Sequence, residues 1–162
     1  MMYDCTQDTL KHIRRVQTLL KKCAMVLIDR GIVHDLSKLS EEEKPSFDKY
    51  TPMLKDSVYG SDEYRGFLRE MKPAIKHHQA NNSHHPEYYQ NGITGMSLFD
   101  LMEMLCDWQA AGERHADGGN LMRSLELNTE RFSIPESLVC VLENTITEMQ
   151  RLEGWKTRET QI

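Results

Sequence analysis

The sequence has no long apolar run. Its longest, CAMVLI at 23–28, is six residues, far short of the roughly 20 that cross a bilayer. The opening residues, MMYDCTQD, are polar and acidic and do not read as a signal peptide. Cysteine is sparse: Cys5, Cys23, Cys106 and Cys140 form no CxxC pair, a pattern expected of reduced thiols in a cytoplasmic protein. Cys23, Cys106 and Cys140 lie in apolar helical patterns and read as core residues, whereas Cys5 reads as exposed. Excess positive charge is also missing. A net charge of −5 argues against a general nucleic-acid-binding surface but leaves room for a local basic pocket that takes a small phosphate ligand. There is no internal repeat or low-complexity segment, and no stretch of five or more residues alternates apolar and polar between turns, so the strand signal is weak throughout.

The helical signal is strong. At 162 residues the chain is long enough to bury a core and reads as a single domain, 1–162. Residues 6–30 read as one long helix with Thr6 as N-cap, Asp8 in the first turn and Gly31 as the stop. Its apolar stripe is Leu10, Ile13, Val16, Leu20, Cys23 and Leu27. His12 precedes Val16 by four residues and Leu19 by seven, so it is placed towards the same side. SEEE at 40–43 reads as an N-cap with Glu43 in the capping-box position, opening a helix over about 41–50 that Pro45 weakens. Ser61 caps a helix to about 79, with a bend at Pro73. Residues 81–95 read as a loop. Ser97, with Asp100 three residues on, caps the helix LFDLMEMLCDWQAAGER, which is apolar on most sides and reads as central. A short helix over 119–130 and a final amphipathic helix from Pro135 to Gly154 complete an all-α bundle of five to six helices.

The informative abundance is histidine. Four of the seven fall within IKHHQANNSHHPEYY, and the others are His12, His34 and His115. His34 stands beside Asp35 in GIVHDLSKLS, where a helix-end turn can aim both at one site. His78 is in register with Phe67, Met71 and Ile75 and faces the core, which turns His77 outward. His84 and His85 both stay candidates, His85 favoured slightly because Pro86 fixes the turn beside it. Asp107 lies in a buried-type helical window, where a lone carboxylate needs a partner; Arg114 or a metal could serve. Neutral imidazole mixed with carboxylate suits a divalent transition metal, Mn, Fe, Co, Ni or Zn, and the two oxygens of Asp35 allow it to bridge two ions. A core histidine at His12 and a polar surface loop at 77–85 are the plain alternatives for each feature taken alone.

The order of His12, then HDLSK, then a late helical Asp107 resembles the HD-domain superfamily of metal-dependent phosphohydrolases. The match covers residues 12 to about 115. HHQANNSHHPE is similar to the histidine-bearing insertion of two-metal members, and the combination resembles a bacterial and phage branch of HD-like proteins. The common HDxGK reading has Ser37 here in place of glycine, and the DGxGYP continuation of cyclic-dinucleotide phosphodiesterases is absent, with YYQNG instead. The resemblance implies an HD-like fold and one or two metal ions. His12, His34, Asp35 and Asp107 would hold the first ion, with His78, His84 and His85 holding a second or touching phosphate. It also implies hydrolysis of a nucleotide or another small phosphate ester by metal-activated water, with Lys38 and Asp35 in catalytic roles. Arg114 and His115 could reach phosphate but also suit a helix C-terminus, and Tyr88, Tyr89 and Trp108 could stack on a base or pack a core. The rival readings are an HD-fold regulatory or interaction protein without hydrolase activity and an HD-type di-iron oxygenase. No nucleic-acid or membrane partner is expected; the apolar final helix could pair two copies.

Overall fold

A computed structural model describes residues 3–57, 61–113 and 120–152. Among them there is no strand. The chain divides into two compact units, residues 1–34 and 35–162, where the sequence reads as one domain.

The first unit is a single helix, α1 (Thr6–Val33). Thr6 does not cap it. The Thr6 hydroxyl and N–H both bond Asp4 Oδ1, at 2.6 and 3.0 Å, and Cys5 is the cap residue. Gly31 does not stop it either. A glycine inside a helix costs only about 1 kcal/mol, and the helix ends two residues later, where His34 turns to ψ 129°. No residue of α1 is buried, so the stripe of Ile13, Val16 and Leu20 is an apolar face exposed to solvent.

The second unit holds α2 (Lys44–Asp56), α3 (Asp62–Glu70), α4 (Lys72–Asn81), α5 (Leu98–Gly112), α6 (Leu121–Arg131) and α7 (Glu136–Met149). Three 3-10 turns, Leu36–Leu39, Pro86–Tyr88 and Gly92–Gly95, join them. One expected helix over 61–79 is two, because the turn at Met71 separates α3 from α4 and Pro73 falls in the first turn of α4, where its missing N–H is harmless. For the same reason Pro45 opens α2 rather than weakening it. Ser61 accepts from the Tyr64 N–H at 3.1 Å and caps α3 as expected. Ser97 and Asp100 form a full capping box on α5, which satisfies two N–H groups that the helix start would leave unpaired. Asn120 caps α6. The last helix is described to Met149, and Gly154 lies outside the described residues.

The core lies between α5, α6 and α7. Leu101, Met104, Leu105, Leu121, Leu125, Leu142 and Ile146 are buried together, with Ile93 from the loop and Ile134 ahead of α7. Trp108 stacks on Phe132 with ring centroids 6.3 Å apart and planes 10° apart, so it belongs to this packing. All four cysteines are exposed free thiols, and the core expected of Cys23, Cys106 and Cys140 is made by leucine, isoleucine and methionine instead. Ile146 has no exposed surface. Truncating it to alanine is expected to cost about 2–5 kcal/mol, read by urea unfolding, with metal binding in the folded fraction unchanged.

Candidate metal centre

Four donor atoms, one each from Asp35, His78, His84 and His85, lie within 4.8 Å of one another in the second unit. Local structure explains how each arrives. Asp35 precedes the 3-10 turn Leu36–Leu39 with φ 59°, a left-handed conformation uncommon outside glycine, asparagine and aspartate. His78 is on the inner face of α4 and is buried, while His77 beside it is exposed, as the i, i+4 register predicts. His84 and His85 stand in the turn between α4 and Pro86–Tyr88. That turn is braced from outside: Glu87 Oε1 accepts from Gln79 at 3.1 Å and from Arg131 at 2.9 Å. It is braced from inside by Asp100, a buried carboxylate at the start of α5. Burial works to raise the Asp100 carboxyl, but the Ser97 side chain and N–H, Tyr89 and Ser83 donate to it and hold it well below the usual range. Gly95 is needed beside Tyr89, because a Cβ there would come within 2.9 Å of the Tyr89 Cβ.

Within the cluster, Asp35 Oδ1 is 3.0 Å from His78 Nε2 and 3.5 Å from His84 Nε2. Donors about 2.0–2.1 Å from a tetrahedral ion stand about 3.3 Å apart, so these two spacings bracket that value. The buried Nε2 atoms of His78 and His85 make no hydrogen bond of ordinary geometry with the described residues. The opposite ring nitrogens of His78 and His84 are engaged: His78 Nδ1 lies 3.0 Å from Glu43 Oε2, and His84 Nδ1 lies 3.0 Å from Glu103 Oε1. A carboxylate on Nδ1 turns the Nε2 lone pair of an imidazole inward, which is how histidines that bind metals are commonly held.

The charges fit a cation. Burial works to raise the Asp35 carboxyl, but His78, His84 and the Lys38 ammonium together hold it far below the ordinary range. Burial and then the neighbouring His84 and His78 push His85 down to about 3 against the pull of Asp107 and Asp35, so it is neutral at pH 7. Lys38 ion-pairs with Asp35 Oδ2 and lies over the Phe47 ring at 5.3 Å from its centroid. The expected phosphate-binding lysine is thus engaged with the candidate ligand itself.

A family model described as a family of unknown function, DUF5662, matches residues 1–149. The chain belongs to that family. No curated protein and no solved structure matches it.

The expected site residues separate. Asp35, His78, His84 and His85 come together, and Asp107 lies on α5 one turn beyond Glu103, close enough for its charge to act on His85. His34 ends the first unit, one peptide bond before Asp35. His12 does not join His34. Both belong to one continuous α1 and its cap, 22 residues apart, which at 1.5 Å per residue is roughly 30 Å along the axis; His12 is exposed there. Tyr88 is exposed and packs edge-on to Tyr89, with ring centroids 4.9 Å apart. Arg114 and His115 lie outside the described residues. Sequence reasoning does not find Glu43 and Glu103 as site residues. Glu43 carries the SxxE pattern of a capping box, yet it is fully buried and turned to the histidines; Glu103 carries a signal only in its i, i+4 relation to Asp107.

An unfolded histidine titrates near 6.5, and folded His85 near 3. Between those values the unfolded chain binds a proton that the folded protein does not. Stability from this group is therefore lost as pH falls from 6.5 towards 3, by up to about 1.4 kcal/mol per pH unit. His85→Gln in chelator-treated protein is expected to flatten the pH dependence of urea unfolding in that window, and an unchanged slope would count against a neutral, buried His85.

Proposed function

We propose that the protein is a metal-dependent phosphohydrolase whose divalent transition metal is held by Asp35, His78, His84 and His85. The observation that carries the metal reading is the paired arrangement of His78 on Glu43 and His84 on Glu103, which leaves both Nε2 atoms facing Asp35 Oδ1 at 3.0 and 3.5 Å. In metal sites a carboxylate on one ring nitrogen commonly aims the other at the ion, and here two imidazoles held in that way meet one carboxylate oxygen. The four donors account for one ion. His34 enters by its place next to Asp35 in the HD pair, and Asp107 by its charge at His85.

A bound ion supplies Lewis acidity that makes water a nucleophile near neutral pH. The chain's own residues do the rest. Asp35 and the imidazoles fix the ion, and Lys38 places a positive charge beside Asp35, where it can offset charge on a phosphoryl oxygen. The substrate class, a nucleotide or another small phosphate ester, rests on the resemblance of HDLSK and the histidine segment to HD-domain hydrolases. Free thiols at all four cysteines fit a cytoplasmic setting, and no described helix is long and apolar enough to cross a membrane.

Chelator-stripped protein is expected to bind Mn, Co, Ni, Fe or Zn in competition with a chromogenic chelator, and His84→Ala to lose that binding. Loaded protein is expected to hydrolyse at least one member of a panel of nucleoside mono-, di- and triphosphates, with Asp35→Asn lowering the rate at least about 100-fold. Tight metal binding with no turnover on any member would replace the hydrolase reading with that of a metal-binding regulatory protein.

A further inference from the structure

The hydrogens around His78 can be accounted for one by one. Glu43 has no exposed surface. Its Oε1 lies 2.8 Å from His77 Nδ1, and its Oε2 lies 3.0 Å from His78 Nδ1 and 3.1 Å from the Ser37 hydroxyl. An ionised carboxylate only accepts, so all three neighbours must donate to it. Two other groups also approach His78 Nδ1: Ser37 Oγ at 2.9 Å and Asn82 Nδ2 at 3.1 Å. Neither has a hydrogen to spare for that nitrogen. The Asn82 amide spends one N–H on the His78 carbonyl at 2.7 Å and the other on Ser37 Oγ at 2.8 Å. Ser37, having accepted from Asn82, gives its hydrogen to Glu43. The set closes in one direction, with Asn82 donating to Ser37 and with Ser37, His77 and His78 donating to Glu43. His78 must then carry a proton on Nδ1, which leaves Nε2, 3.0 Å from Asp35 Oδ1, as the ring atom open to a metal.

Resting on the metal reading above, we propose that Glu43, loaded by Ser37 and Asn82, is the positioning residue that fixes the tautomer and orientation of His78 for metal binding. Glu43 is itself fixed. Its backbone N–H donates to Ser40 Oγ at 3.3 Å, and its carbonyl accepts from Ser46 and Phe47 at 3.0 and 3.1 Å as α2 begins. The start of α2 therefore sets the aim of a histidine 35 residues later on α4. Ser37 has a part in the same frame. It relays the Asn82 hydrogen bond to Glu43, which the glycine of the common HDxGK pattern, having no side chain, could not do.

Two measurements test this. In metal-free protein, nitrogen-15 NMR of the histidine rings is expected to show neutral His78 protonated on Nδ1. Neutral His78 protonated on Nε2 alone would overturn the proposal whether or not the protein binds metal. Glu43→Gln is then expected to weaken metal affinity about 10- to 100-fold while the visible absorption of the cobalt-loaded form keeps its shape, because the ligand set is intact. Ser37→Ala is expected to weaken affinity in the same direction by less, and serves as the test if Glu43→Gln does not fold. Unchanged affinity in the folded variant would make Glu43 merely structural. A wild-type protein that binds no metal would instead remove the metal reading and leave the tautomer assignment standing.

Discussion

Burying a carboxylate costs several kcal/mol unless donors surround it, and two are buried among the described residues of the second unit. Glu43 and Asp100 are both at most 4% exposed. Each is surrounded by hydroxyl, amide or imidazole donors, and each lies at the beginning of a helix, where the backbone favours negative charge. The arrangement around them follows from that need. Glu43 requires His77, His78 and Ser37 as donors, which brings α4 against the turn Leu36–Leu39. Asp100 requires Ser97, Tyr89 and Ser83, which draws the histidine loop onto α5. With Glu103 engaged by His84, the imidazoles of His78 and His84 are held from behind by carboxylates, and their remaining faces meet Asp35.

This division of labour separates stability from chemistry. The apolar core of α5, α6 and α7 gives the loop a firm base through Ile93, while the donors to Asp100 and Glu87 fix its path. Histidine side chains in a loop would otherwise lose rotamer freedom at a cost that a surface segment cannot recover. Here the ordering is supplied by residues that take no part in the donor cluster.

The features legible in the sequence are those set by near neighbours. The all-α class, the Ser61 and Ser97 caps and the choice of His78 over His77 depend on spacings of three or four residues, which the helix repeat fixes. The boundary at Met71 is half legible: Pro73 marks a disturbance, but a proline in a first turn and a proline at a kink look alike in sequence. Glu43 escapes because its histidine partners are 34 and 35 residues away, while SEEE has a complete local explanation. His84 and His85 cannot be ranked, since a turn has no periodicity to assign faces; both contribute a donor, and His84 is the more buried. His12 is drawn into the expected site because amphipathic spacing tells which side of a helix is apolar, not what that side meets or how far along the helix a ligand can act. Cys23, Cys106 and Cys140 mislead for a related reason, as an apolar helical pattern does not say which of its residues the neighbouring helices cover.

Asp35 stands in the left-handed region with φ 59°, and two selections act on that one position. The backbone favours glycine, asparagine or aspartate. The cluster asks for a short anionic oxygen donor facing His78 and His84, with a second oxygen for Lys38. Glycine meets the first demand without a donor, asparagine meets it with a neutral one, and glutamate brings the charge on a longer arm that strains the turn. Aspartate alone satisfies both, so the second letter of the His-Asp pair is dictated as much by the shape of the chain as by the chemistry at its tip.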